Sequence, residues 1–89
     1  MPERTAIIAS RVGLHARPAS IFIDAVKKQP LRITIAKPGG TPMDASSILS
    51  IMSLGAANGD TVTLAAEGPE AEESLETLAA LLETDLDAS

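Results

Sequence analysis

The stretch "LRITIAKPGGTPMD", residues 31–44, alternates, turns and comes back. Leu31, Ile33 and Ile35 fall on one side of an extended chain and Arg32 and Thr34 on the other, the period-two signature of a strand with one buried face. Gly39-Gly40 supplies a turn. A brief returning strand is expected near 41–44, confined to a sheet edge because Pro42 has no N–H to give a ladder. One polar face per strand points to an antiparallel sheet covered by helices on one side only.

The rest of the chain supplies what that sheet requires. "RTAIIA" (4–9) is a short apolar, partly β-branched run, and "DTVTLAA" (60–66) sets Val62 and Leu64 against Thr61 and Thr63. A helix over about 17–28 is expected from Ala19, Phe22, Ile23 and Val26 at helical spacing. Another over about 70–84 has a stripe of Ala71, Leu75, Leu78, Ala79 and Leu82, with Glu70, Glu72, Glu73, Glu76 and Glu83 mostly off it. Pro69 and the early glutamates suit its first turn, where the helix dipole favours anions. The order β-α-β-β-α-β-α predicts an α+β open-faced sandwich, a four-stranded antiparallel sheet with three helices on one face. Residues 1–89 are expected to form one domain, with "DLDAS" a frayed tail.

Composition narrows the function. Of 89 residues, 45 % are apolar and 21 % charged, a globular balance, and the core must be aliphatic because Phe22 is the one aromatic. Without cysteine there is no disulfide and no thiolate ligand, and one histidine with scattered acids makes no metal site. No cofactor is expected. Neither a signal peptide nor the roughly 20 apolar residues of a membrane helix is present, so a cytoplasmic monomer without membrane insertion is expected. A net charge of −5 argues against nucleic-acid binding. The charge is also segregated. All seven bases lie in the first 37 residues against only Glu3 and Asp24, and the remainder holds ten acids and no base. Such a chain can turn a basic face to an acidic partner.

The middle helix, "SILSIMSLG" (47–55), is apolar on two sides. At about 100° per residue, Ile51 and Leu54 share one side while Ile48, Leu49 and Met52 gather on another. If one side meets the sheet, the second is either sandwiched or left exposed as a docking surface.

"VGLHARPAS" (12–20) contains the single histidine. Gly13 permits a tight turn and Pro18 presets a first helical turn, while the pre-proline effect pulls Arg17 toward an extended conformation. His15 then stands just ahead of a helix N-terminus, where free N–H groups and the positive dipole end attract anions. Arg17 adds a guanidinium fork suited to phosphate oxygens. A neutral imidazole in that place suits a phosphoryl acceptor, whose product carries about two negative charges. Spacing alone leaves other roles open: a surface or capping histidine, or a ligand-binding regulatory module in which His15 is structural. A Ser/His/Asp hydrolase lacks its nucleophile elbow here.

Across essentially the whole chain, "GLHARPAS" at 13–20 together with "SILSIMSLGAANGD" at 47–60 resembles the histidine-containing phosphocarrier family, HPr, of the bacterial sugar phosphotransferase system. The resemblance implies that His15 is phosphorylated on Nδ1 by enzyme I and hands the group to the enzyme IIA component of a sugar permease. It implies that Arg17 assists the transfer, and that Ile48, Leu49 and Met52, with Ser20 and Lys27, form the docking surface for both partners. Ser47 matches a helix-opening serine that some relatives phosphorylate as a regulatory mark, which brings in a serine kinase and a catabolite-control regulator as further partners. The family's regulatory branch, which passes phosphate to a metabolic sensor, is the alternative. Three departures from the family's pattern stand out: Val12 replaces the polar Asn or Ser common before the first glycine, Ser46 replaces a residue that is often basic, and "KPGGTP" is one residue longer than the usual hairpin loop.

Overall fold

The computed structural model describes residues 2–85. Their order is β1 (Glu3–Ile7), α1 (Ala16–Lys27), β2 (Ile33–Ala36), β3 (Met43–Asp44), α2 (Ile48–Leu54), β4 (Thr61–Ala66) and α3 (Ala71–Leu82). The strands form one antiparallel sheet in the order β1-β4-β2-β3. The open-faced α+β sandwich expected from the sequence is the architecture observed.

Register explains which side is covered. Ala6 lies opposite Val62, Leu64 opposite Ile35, and Ala66 opposite Ile33, so these side chains share the helix-covered face. There they join Phe22, Ile51, Leu75 and Leu78, all fully buried, in one aliphatic core. Thr5, Thr63 and Ala36 alternate onto the open face. Arg4 also points to the helix side at the β1 edge, where its Nε donates to Glu76 at 2.8 Å and its Nη2 lies 3.5 Å from Glu83. An inward charge of this kind makes an edge strand a poor template for another chain.

The hairpin between β2 and β3 closes through Gly40 N–H donating to the Lys37 carbonyl at 2.8 Å. Pro38 takes the second turn position and Gly39, at φ +75°, the third, which is a type II turn. β3 is brief and occupies the sheet edge beside Pro42, as expected.

Three local expectations are corrected. β1 ends at Ile7 and not Ala9, because the Ala9 N–H turns to the Leu82 carbonyl at the end of α3 (3.0 Å). α1 begins at Ala16, so Arg17 is helical; the extended residue is His15, at φ −138° and ψ 152°. Pro18 therefore disfavours the α conformation of its predecessor without preventing it, since the helix interior behind it gains more than that preference costs. Pro69 lies outside α3, ahead of the N-cap Glu70; the first turn contains Glu72 and Glu73. Of the expected tail, Asp85 pairs with Arg11 at 3.2 Å, and residues 86–89 lie outside the described residues.

Candidate functional site

His15 is the N-cap residue of α1, and its exposed imidazole makes no capping bond. Its own N–H donates to the Gly13 carbonyl at 3.0 Å, closing a tight bend at Leu14 that follows Gly13 at φ +74°. A helix starts with N–H groups that have no intrahelical acceptor. Those of Ala16 and Arg17 belong to this set, whereas Pro18 contributes none. The imidazole thus stands at the positive end of a twelve-residue helix, beside N–H groups that the helix itself leaves without an acceptor.

Arg17 lies in the first turn and is exposed. Ser20, Asp24 and Lys27 follow it at helical spacing, and all four form one solvent-facing stripe along α1. Among the described residues, Arg17, Lys27, Lys28 and Arg32 make no ion pair, whereas Arg4, Arg11 and Lys37 are paired with acids. The unpaired positive charge is concentrated on α1 and the strand entry that follows it.

α2 resolves the two-sided pattern. Ile51 and Leu54 are buried, whereas Ile48, Leu49 and Met52 are 48 %, 77 % and 43 % exposed. The helix is not sandwiched. Its apolar outer side runs into the histidine, because Met52, Val12, Leu14, Ala56 and His15 line one shallow depression. Val12 is itself 53 % exposed, so the apolar surface extends from α2 to the edge of the imidazole.

Ser47 caps α2, its Oγ accepting the Ser50 N–H at 3.3 Å. The neighbouring Ser46 does something else: its hydroxyl and its N–H both donate to Asp44 Oδ1, at 2.7 and 2.9 Å. These bonds, the hydroxyl's foremost, with help from Arg32, hold the Asp44 carboxyl below its ordinary value. The serine that opens the helix is thus Ser47.

The histidine loop is seated on the turn before β4. Leu14 N–H donates to the Ala56 carbonyl (2.9 Å) and Gly59 N–H to the Ile8 carbonyl (2.8 Å). A Cβ at Gly13 would come within 2.4 Å of the Ala56 oxygen, so the approach requires glycine there. Asp60 ties the turn, accepting Ala57 N–H at 2.9 Å with Lys37 Nζ at 3.4 Å, and the backbone bond chiefly lowers its carboxyl. Asn58 donates from Nδ2 toward the carbonyls of Ile8, Ala9 and Ser10. Sequence reasoning gave Asn58 no role; the signal was the Asn58-Gly59 pair, a turn former inside the second motif. Among the described residues no cluster of His, Asp and Glu could hold a metal ion, and no helix is long and apolar enough to cross a membrane.

Fold and site define a class: an open-faced α+β sandwich presenting one imidazole at a helix N-terminus, with an exposed apolar helix face alongside. The family profile described as "PTS HPr component phosphorylation site" matches residues 2–84. The chain is 44 % identical over 82 residues to a phosphocarrier protein HPr of Streptomyces coelicolor, covering 92 % of this chain and 88 % of that one. It is 36 % identical to the HPr-like protein Crh of Halalkalibacterium halodurans, covering 93 % and 98 %. The crystal structure of HPr-C-His from Thermoanaerobacter tengcongensis superposes with a TM-score of 0.88 at 39 % identity, over 98 % of this chain and 97 % of that one. The chain belongs to the HPr family, the phosphocarriers of the phosphotransferase system.

Proposed function

We propose that His15 is the phosphoryl acceptor, taking the group from phosphorylated enzyme I and passing it to the enzyme IIA component of a sugar permease. The observation that carries this reading is the exposed, uncapped imidazole at the N-terminus of α1. In the transfer, the Nδ1 lone pair forms the N–P bond as the bond from phosphorus to enzyme I breaks. The product's roughly two negative charges then sit beside the free N–H groups of the first turn and the Arg17 guanidinium. Nothing there locks the phosphate away, which suits a stoichiometric carrier. Ile48, Leu49 and Met52 form the apolar docking surface, with Ser20 and Lys27 at its basic border and partners that are acidic around it. This domain works as a monomer in the cytoplasm, without a cofactor.

The test is incubation with enzyme I and phosphoenolpyruvate, followed by intact mass. One phosphate, labile in acid and stable in base, is expected on the wild type and none on His15→Ala. An acid-labile phosphate on that variant would show that the acceptor lies elsewhere. The Crh-like relatives support a second reading, in which the chain serves regulation, through Ser47, a serine kinase and a catabolite-control regulator, or by passing phosphate to a metabolic sensor. Transfer onward to a IIA component separates the two.

A further inference from the structure

Backbone bonds hold the histidine loop at its two ends, Ile8 and Leu14, and the Ala9 N–H is held by the end of α3. Between them the chain makes the Ser10–Gly13 turn, closed by Gly13 N–H donating to the Ser10 carbonyl at 2.9 Å, and this turn aims the next two residues at the start of α1. The Asn58 amide reaches across from the β4 turn to three successive carbonyls of this segment, Ile8 at 3.4 Å, Ala9 at 3.1 Å and Ser10 at 3.3 Å. Asn58 is exposed and adds nothing to the aliphatic core. Its Nδ2 has two donor hydrogens to share among these three carbonyls of the loop that carries His15.

We propose that Asn58 is a positioning residue for phosphoryl transfer: by gripping the Ile8–Ser10 carbonyls it fixes the base of the Ser10–Gly13 turn and thereby the place of the imidazole at the α1 N-terminus. This rests on His15 being the acceptor. Asn58 touches neither phosphorus nor imidazole and takes no proton; the N–P bond forms and the bond to enzyme I breaks as already described. Its contribution is geometric, and small misplacements of a nucleophile are costly to in-line transfer.

The experiment compares Asn58→Asp, Asn58→Ala and Asn58→Gln in the full chain. Asp keeps the shape and the turn preference of Asn but turns acceptors toward carbonyls; Ala removes the donors without adding repulsion; Gln keeps the donors. For Asp and Ala, kcat for phosphate uptake from enzyme I should fall about tenfold or more, the scale of one lost hydrogen bond felt in the transition state. KM for the protein as the substrate of enzyme I should hold, because α2 is untouched, and Gln should recover most of the rate. Amide hydrogen exchange at Gly13 in the unphosphorylated protein should quicken about tenfold in Asp and Ala and return toward wild type in Gln. Unchanged kcat, a change in KM alone, or a Gln variant as slow as Ala overturns the assignment. If the wild type takes no phosphate, the reading of His15 fails, and Gly13 exchange still decides the clamp: equal protection in all four proteins refutes it.

Discussion

Gly13 shows how much one residue of the site depends on chain remote in sequence. It adopts φ +74°, and an added Cβ would meet the Ala56 oxygen at 2.4 Å and the Ala57 Cα at 2.9 Å, both backbone atoms that cannot swing aside. Gly13→Ala should cost about 2 kcal/mol or more, combining a strained φ with a displaced loop. Urea denaturation measures it, and a loss under about 0.5 kcal/mol would mean the loop shifts freely. Arg17 depends on little around it: exposed and unpaired, it can be removed without disturbing the core. Arg17→Ala should fold normally and take up phosphate roughly tenfold to a hundredfold more slowly, by loss of a charge-assisted contact of about 1.5–3 kcal/mol. Rapid-quench transfer from enzyme I checks this, and wild-type rates would remove Arg17 from the mechanism. Gly13, His15 and Arg17 were legible in sequence as local turn and helix-start chemistry. Asn58 was not, since the carbonyls it holds lie 48 to 50 positions away. That pairing is created by the fold and leaves no local periodicity.

Among the elements, α2 is the most legible in sequence, because seven residues of helix leave few ways to distribute five large apolar side chains. The angular grouping separated Ile51 and Leu54 from Ile48, Leu49 and Met52, but it could not say whether the second group was covered. That is a tertiary fact, supplied by α1 and β3 being the neighbours of α2 and leaving its outer side open. Helix ends were less legible: Arg17 is helical despite Pro18, and Pro69 precedes α3, because packing of the helix body decides boundaries that propensity only biases. The two faces should respond oppositely. Ile51→Ala, in the core, should cost about 2–5 kcal/mol. Met52→Glu should leave melting nearly unchanged and weaken enzyme I binding by setting an unpaired charge in an apolar contact. Calorimetry with a binding titration tests both, and a large stability loss in Met52→Glu would mean its side chain is buried in solution. Ser47 joins the faces. A negative charge at this N-cap meets a favourable helix dipole, worth about 0.3–1 kcal/mol. It also stands beside Ile48 and Leu49, where an acidic partner would dock. Ser47→Asp should keep its melting temperature yet take up phosphate slowly. Normal uptake would refute a switch at Ser47, and a collapsed melting temperature would show that the slowing comes from unfolding.

Over the whole molecule, the segregation of charge along the sequence becomes a division of labour in space. The acids of the second half are partly used up in ties: Glu76 to Arg4 joins α3 to β1, Asp60 to Lys37 joins the β4 turn to the β2 exit, and Asp44 to Ser46 shapes the entry to α2. Among the described residues, the bases in no ion pair are Arg17, one turn from His15, and Lys27, Lys28 and Arg32 at and beyond the other end of α1. The ties also set the response to acid. Arg4 holds the Glu76 carboxyl below its ordinary 4.5, and Asp44 and Asp60 lie below their ordinary 3.8 for the reasons given above. A carboxyl whose folded value is lowered binds its proton more readily in the unfolded chain. Its stabilisation is therefore complete above the ordinary value and is lost as the pH falls through that value and the lowered one. Glu76 is exposed and Asp44 and Asp60 are half-buried, all within reach of solvent, so each effect is modest, but they loosen three separate junctions together. Melting temperature should be level above about pH 5 and decline below about pH 4. Asp60→Asn isolates one junction, and with it the turn that seats the histidine loop. The variant should melt below wild type at pH 7 and show a shallower acid decline, the two curves drawing together as the pH falls through the ordinary 3.8 and on through the lowered value. High salt should narrow the gap at pH 7 only in part, since it screens Lys37 but not the Ala57 N–H bond. A gap of equal size at pH 3 and pH 7 would show that Asp60 acts through shape and not through charge.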